Sequence, residues 1–153
     1  MKKLAKILAL VFVAVMLFAM VACGNKYEPY EGYQFAGTNP WGEQLAITIR
    51  TIKDGKMEWT YTDIAGDLTL YEEVTGTTLK DMTADFTVKG DANDITKFTY
   101  SGTLTMKDGK LIVTYTAGNI EVFSTEGGST ARMIEAVPEA ERTITLERVI
   151  LDK

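Results

Sequence analysis

The sequence predicts an all-β fold, an antiparallel up-and-down meander closed into a barrel of about eight strands. Three observations predict it. From Tyr33 onward apolar and polar residues alternate in segment after segment, the mark of strands that bury one face. Tight turns built on Asp and Gly separate the segments. One hairpin is also written twice: Thr51-Ile52-Lys53-Asp54-Gly55-Lys56-Met57-Glu58-Trp59-Thr60-Tyr61-Thr62 is matched, 54 residues on, by Thr105-Met106-Lys107-Asp108-Gly109-Lys110-Leu111-Ile112-Val113-Thr114-Tyr115-Thr116. Short sequential strands favour a meander, and closure removes exposed edges. An open β-sandwich is the alternative.

Strands are expected at 33–37, 44–52, 57–64, 68–75, 83–90, 97–106, 110–122, 129–136 and 143–149. In the second, Leu45, Ile47 and Ile49 alternate with Ala46, Thr48 and Arg50; in the third, Met57, Trp59 and Tyr61 with Glu58, Thr60 and Thr62. The fifth sets Ala84, Phe86 and Val88 against Asp85, Thr87 and Lys89. The sixth sets Phe98, Tyr100, Leu104 and Met106 against Thr99, Thr103 and Thr105, and the seventh Leu111, Val113 and Tyr115 against Ile112, Thr114 and Thr116. The last places Ile144 and Leu146 between Thr143, Thr145 and Glu147. Pro138-Glu139-Ala140-Glu141 reads as a single helical turn. The two Asp-Gly turns conflict. Keeping Ile47 and Ile49 with Tyr61 and Trp59 asks for a three-residue loop, whereas keeping Leu104 with Val113 asks for a two-residue loop. One alternation must therefore break, and Gly102 in mid-strand is the expected bulge.

The chain opens with Lys2, Lys3 and Lys6, continues with unbroken apolar sequence over 7–22, and reaches Cys23 just after Ala22. A charged start, an apolar stretch and a small residue at the cut mark a secretory leader. With the cysteine next, Met20-Val21-Ala22-Cys23 resembles the lipobox of bacterial lipoproteins, with Met20 where Leu is usual. The resemblance covers the first 24 residues. It implies a removed leader over 1–22, a diacylglycerol on the Cys23 thiol, a short tether over 23–31 and a barrel domain over 32–153 held on the outer side of the cell membrane. The strand pattern is similar to the lipocalin-like barrels, although Gly32-Tyr33-Gln34 stands where lipocalins carry Gly-x-Trp. That likeness implies a small-ligand binder.

Composition excludes several functions. Lys and Arg total 16 against 21 Asp and Glu, and loss of the leader lysines leaves 13 against 21, a formal charge of −8. Nucleic acid needs a basic footprint, so it is not an expected partner. The chain has no histidine, and Cys23 is its one cysteine. Disulfides, Cys-based zinc sites and His-dependent triads are excluded. No cofactor is expected, and the protein reads as a non-enzyme.

Alternate loops of a meander share an end. Asn39-Pro40-Trp41-Gly42, Ala65-Gly66-Asp67, Asp91-Ala92-Asn93-Asp94 and Ser124-Thr125-Glu126-Gly127 are expected at one, and the Asp-Gly turns with the links near Gly76 and Pro138 at the other. The longer loops suggest a mouth at Trp41, whose ring is either a ligand lid or a plug. Candidate ligand-binding residues are Trp41, Trp59, Tyr61, Phe98, Tyr100 and Tyr115, which with Phe86 either line a cavity or fill the interior. Asp67, Asp91, Asn93, Asp94 and Glu126 read as solvated loop residues, because Gly102 occupies the last position of the EF-hand template. The expected partners are the membrane and either a small apolar ligand or another envelope protein.

Overall fold

Asp54 and Gly55 take φ of 51° and 70°, and Asp108 and Gly109 take 53° and 73°. Two successive positive φ angles make a type I′ turn, whose twist matches that of the flanking strands. Each turn closes a two-residue hairpin, Lys53 opposite Lys56 and Lys107 opposite Lys110. A computed structural model describes residues 25–65, 68–92, 96–123 and 129–150. The leader, Cys23, Gly24, Asp67, Asn93, Asp94 and the loop 124–128 with Glu126 lie outside the described residues.

The strands are β1 (Gln34–Thr38), β2 (Gln44–Lys53), β3 (Lys56–Ala65), β4 (Leu68–Thr78), β5 (Thr83–Ala92), β6 (Thr96–Lys107), β7 (Lys110–Phe123), β8 (Ser129–Met133) and β9 (Thr143–Arg148). Their order around the wall is β4-β3-β2-β1-β9-β7-β6-β5. This is an antiparallel meander in a nearly closed barrel of eight strand positions with one unsealed seam. β8 and β9 share a position: β8 pairs with residues 119–123 of β7, and β9 with residues 111–114. β1 bonds β9, joining the two ends of the meander. The seam lies between β4 and β5, which are consecutive in sequence. Among the described residues only the Lys80–Thr83 bridge at their turn links them by backbone. Higher up, the Glu72 carboxylate lies over Gly90, where a Cβ would stand 2.9 Å from Oε2.

Two expectations about the strands are corrected. The run expected to continue to residue 136 stops at Met133, and Ile134–Ala136 is a 3-10 turn that buries Ile134. A second 3-10 turn, Glu139–Glu141, follows. The Pro138 link lies at mid-height, with Tyr115 N bonded to Arg142 O at 3.0 Å, and not among the Asp-Gly turns. The reason is the split strand: β8 stops opposite Asn119, and β9 starts opposite Thr114.

The conflict between the hairpins is resolved by bulges. Ile49 faces Trp59 while Thr51 faces Glu58, so Arg50 is the extra residue on β2 and no three-residue loop is needed. Ser101 faces Ala117 while Gly102 faces Tyr115, so the second bulge is Thr116 on β7, opposite Gly102 and not at it. Glycine is needed there for close approach, since a Cβ would lie 2.0 Å from the Thr114 carbonyl oxygen.

The stretch read as a short tether over 23–31 forms turns from Lys26 to Gly32 that pack on the barrel. Tyr30 is buried, stacks on Phe35 at 5.9 Å between ring centroids, and accepts a hydrogen bond from Gly109 N at 3.1 Å. Tyr27 donates its hydroxyl to the Asp81 carbonyl at 2.8 Å, and Lys26 pairs with the Asp81 carboxylate at 2.6 Å. This segment closes the end of the barrel that carries the Asp-Gly turns. Among the described residues no helix is long and apolar enough to cross a membrane.

Gly102→Ala should lower stability by at least about 2 kcal/mol, because the added methyl must displace backbone. Urea unfolding of the two proteins checks this.

Candidate functional site

The inward row of β3 runs Met57, Trp59, Tyr61, Asp63, all buried. The same alternation that turns the rings inward carries a carboxylate with them. Asp63 is 0% exposed. Its Oδ1 accepts a 2.8 Å hydrogen bond from Asn39 Nδ2, and its Oδ2 accepts a long one of 3.5 Å from the Tyr61 hydroxyl. Asn39 is buried and organises the loop that begins there. Its Oδ1 accepts from Trp41 N at 3.0 Å and from Glu43 N at 2.9 Å. Its backbone bonds Glu43 O at 2.7 Å and Gly42 N at 2.9 Å. One asparagine thus fixes the Trp41 loop and holds it to Asp63.

Trp41 packs partly buried over the mouth, its ring 6.0 Å from that of Tyr100. Tyr100 also meets Phe98, Tyr61 and Tyr115 at 5.8, 6.0 and 5.8 Å. The Tyr61 and Tyr115 hydroxyls are hydrogen-bonded at 2.9 Å. The structure therefore brings Trp41, Tyr61, Phe98, Tyr100 and Tyr115 together. Trp59 lies deeper, edge-on to Phe86 at 5.8 Å, and donates its indole N–H to Thr77 Oγ1 at 2.8 Å. A void large enough for a ligand leaves its walls accessible to water. Trp59, Tyr61 and Tyr100 are 1% exposed and Tyr115 is 2% exposed, so at this level the rings fill the barrel.

Among the described residues, the buried hydroxyls of Tyr100 and Thr96 have no hydrogen-bond partner. Both belong to the inward face of β6. At the rim, Arg132 on β8 reaches Glu43 at 2.7 Å, joining the Trp41 loop to β8. Burial pushes Asp63 up to about 7. The Asn39 amide, the Ile64 backbone N–H and the Tyr61 hydroxyl oppose that rise, and the Glu43 charge adds to it. Burial also raises Tyr61, Tyr100 and Tyr115, so these phenols hold their protons. Asp63 is the acid in this cluster that titrates near neutrality.

Asp63 and Asn39 were not among the residues expected to form the site. The signal for Asp63 was present, because continuing the alternation from Met57 through Tyr61 reaches it. Asn39 carried no comparable signal, since its partner is 24 residues away. Trp59, two residues before Tyr61 on the same inward face, lies one layer deeper than the other candidates. Comparisons with protein-family models, curated proteins and solved structures gave no match to the chain.

The sign of the pH dependence follows from Asp63. Its folded pKa of about 7 lies above the usual value near 4. Between them the folded protein binds the extra proton, so the Asp63 contribution to stability is fully present below about pH 4 and is lost as pH rises through about 7. The loss is on the order of a few kcal/mol. Urea midpoints across this range should show the slope, and Asp63→Asn should flatten it.

Proposed function

We propose that this chain is a membrane-anchored extracytoplasmic lipoprotein, and that its barrel is a non-enzymatic binding module whose working end is the Trp41 mouth. The observation that carries the binding assignment is the partly buried Trp41 ring packed on Tyr100, whose buried hydroxyl has no partner among the described residues. An orphaned buried donor asks for an explanation, and an incoming ligand is one. The filled interior supports the mouth over the barrel centre as the place for it. The charged and apolar leader ending at Cys23 supports the anchor and the extracytoplasmic side. The absence of histidine and of any cysteine beyond Cys23 supports a module that binds without turnover.

The filled interior also favours a second reading, in which the same mouth meets another envelope protein. A rigid barrel end carrying an aromatic ring and a paired Glu43–Arg132 rim suits a protein contact as well as a small guest.

Metabolic labelling with a radioactive fatty acid should mark the native protein, and Cys23→Ala should abolish the label and release the protein from the membrane. In a small-molecule screen followed by amide NMR, shifts should concentrate at residues 39–43, 61–63 and 96–100. Shifts confined to the Asp-Gly end would overturn the mouth assignment.

A further inference from the structure

We propose that the Trp41 mouth receives a primary ammonium group, seated between the Asp63 carboxylate and the Tyr100 hydroxyl after the Trp41 ring swings outward. The inference rests on the mouth being the binding end and names the chemistry that fits there.

Asp63 is wholly buried, and its hydrogen-bond donors are neutral: the Asn39 amide, the Tyr61 hydroxyl and the Ile64 backbone N–H. Among the described residues no Lys or Arg forms an ion pair with it, and Arg132, the cation at the rim, is engaged with Glu43 at 2.7 Å. A buried carboxylate without a counter-ion is strongly destabilised by desolvation, and a cation placed against it recovers much of that loss. Tyr61, whose hydroxyl reaches Asp63 at 3.5 Å, packs on Tyr100 at 6.0 Å, and among the described residues the Tyr100 hydroxyl has no partner. Asn39, which bonds Asp63 at 2.8 Å, also holds the backbone of Trp41, whose ring lies 6.0 Å from that of Tyr100. A phenol oxygen accepts as well as donates, so it can take an N–H from an ammonium.

The remaining walls suit the same charge. Trp41, Tyr61 and Phe98 all pack on Tyr100, between 5.8 and 6.0 Å from its ring. Ring faces attract a desolvated cation. An anion would meet Asp63 and Glu43, and an apolar guest would leave both Asp63 and the Tyr100 hydroxyl unpaired. These groups therefore favour an ammonium over the apolar ligand expected from the sequence. The ammonium comes either from a free amine or from a lysine of a protein partner.

Phenethylamine and its neutral counterpart phenethyl alcohol separate charge from shape, and Nα-acetyl-lysine amide represents a protein lysine. Each is titrated into the full lipidated chain in detergent micelles, with binding read from the Trp41 indole and Tyr100 amide NMR signals. At least one amine should bind saturably and at least tenfold more tightly than the alcohol. Asp63→Asn should weaken it at least tenfold, and Tyr100→Phe, which keeps the ring packing, several-fold. Preference for phenethylamine assigns a free amine, and preference for the lysine amide assigns a partner's side chain. Unchanged amide spectra away from the mouth establish that both variants fold. Equal binding of amine and alcohol at the mouth overturns the ammonium assignment and leaves the mouth as a binding end. Silence of residues 39–43 towards every probe overturns the ammonium assignment too, and counts against the mouth itself.

Discussion

The hydrogen bond between the Tyr61 and Tyr115 hydroxyls, 2.9 Å long, is the contact on which the barrel is organised. The two tyrosines are equivalent positions of the repeated hairpin. Each is buried among rings, where an unpaired hydroxyl costs about 1–3 kcal/mol. The cheapest partner for one is the other. That requirement fixes the depth of the two hairpins against each other and puts matching strands on opposite sides of one core. The bulges adjust the remainder, with Arg50 on the first strand of one hairpin and Thr116 on the second strand of the other. Two copies of one sequence motif thereby meet without identical walls.

The polarity of the interior is graded from that bond outward. Towards the Asp-Gly turns the core is Trp59, Phe86, Met57 and Leu111, with the indole N–H satisfied by Thr77. Towards the other end come Asp63 and the Tyr100 hydroxyl, then Asn39 under the Trp41 loop, then the Glu43–Arg132 pair. Asn39 joins these layers, since it holds both the carboxylate and the loop above it. Chemistry that differs from ordinary core packing is thus confined to one end.

Much of this was legible from local pattern. Period-two alternation located all nine strands, and the Asp-Gly pairs marked two of the tight turns, although not their common two-residue length. The inward aromatic set followed from the same alternation. What escaped was decided at long range. The chain between β4 and β5 looks like any other tight connection, yet among the described residues the Lys80–Thr83 bridge is the only backbone pairing there, while β1 and β9 do pair. The split of one strand position into β8 and β9 depends on how much of β7 each can reach, and composition does not reveal that. Asp63 was readable in register, but its hold on the Trp41 loop was not, because only the fold brings Asn39 to it.

The fold of residues 25–33 against the base has a consequence for posture. Asn25 is two residues from Cys23, a reach of roughly 7 Å, and from Lys26 the chain is already fastened to the barrel. With the lipid proposed on Cys23, little slack remains for the body to roll or drift on a leash. Such an anchor would set the closed base against the bilayer with the barrel axis upright. The twelve residues of β6, tilted as barrel strands are, would then hold Trp41 roughly 30 Å above the lipid. In that posture the proposed binding end would stand as a lookout at a set height, turned away from the bilayer.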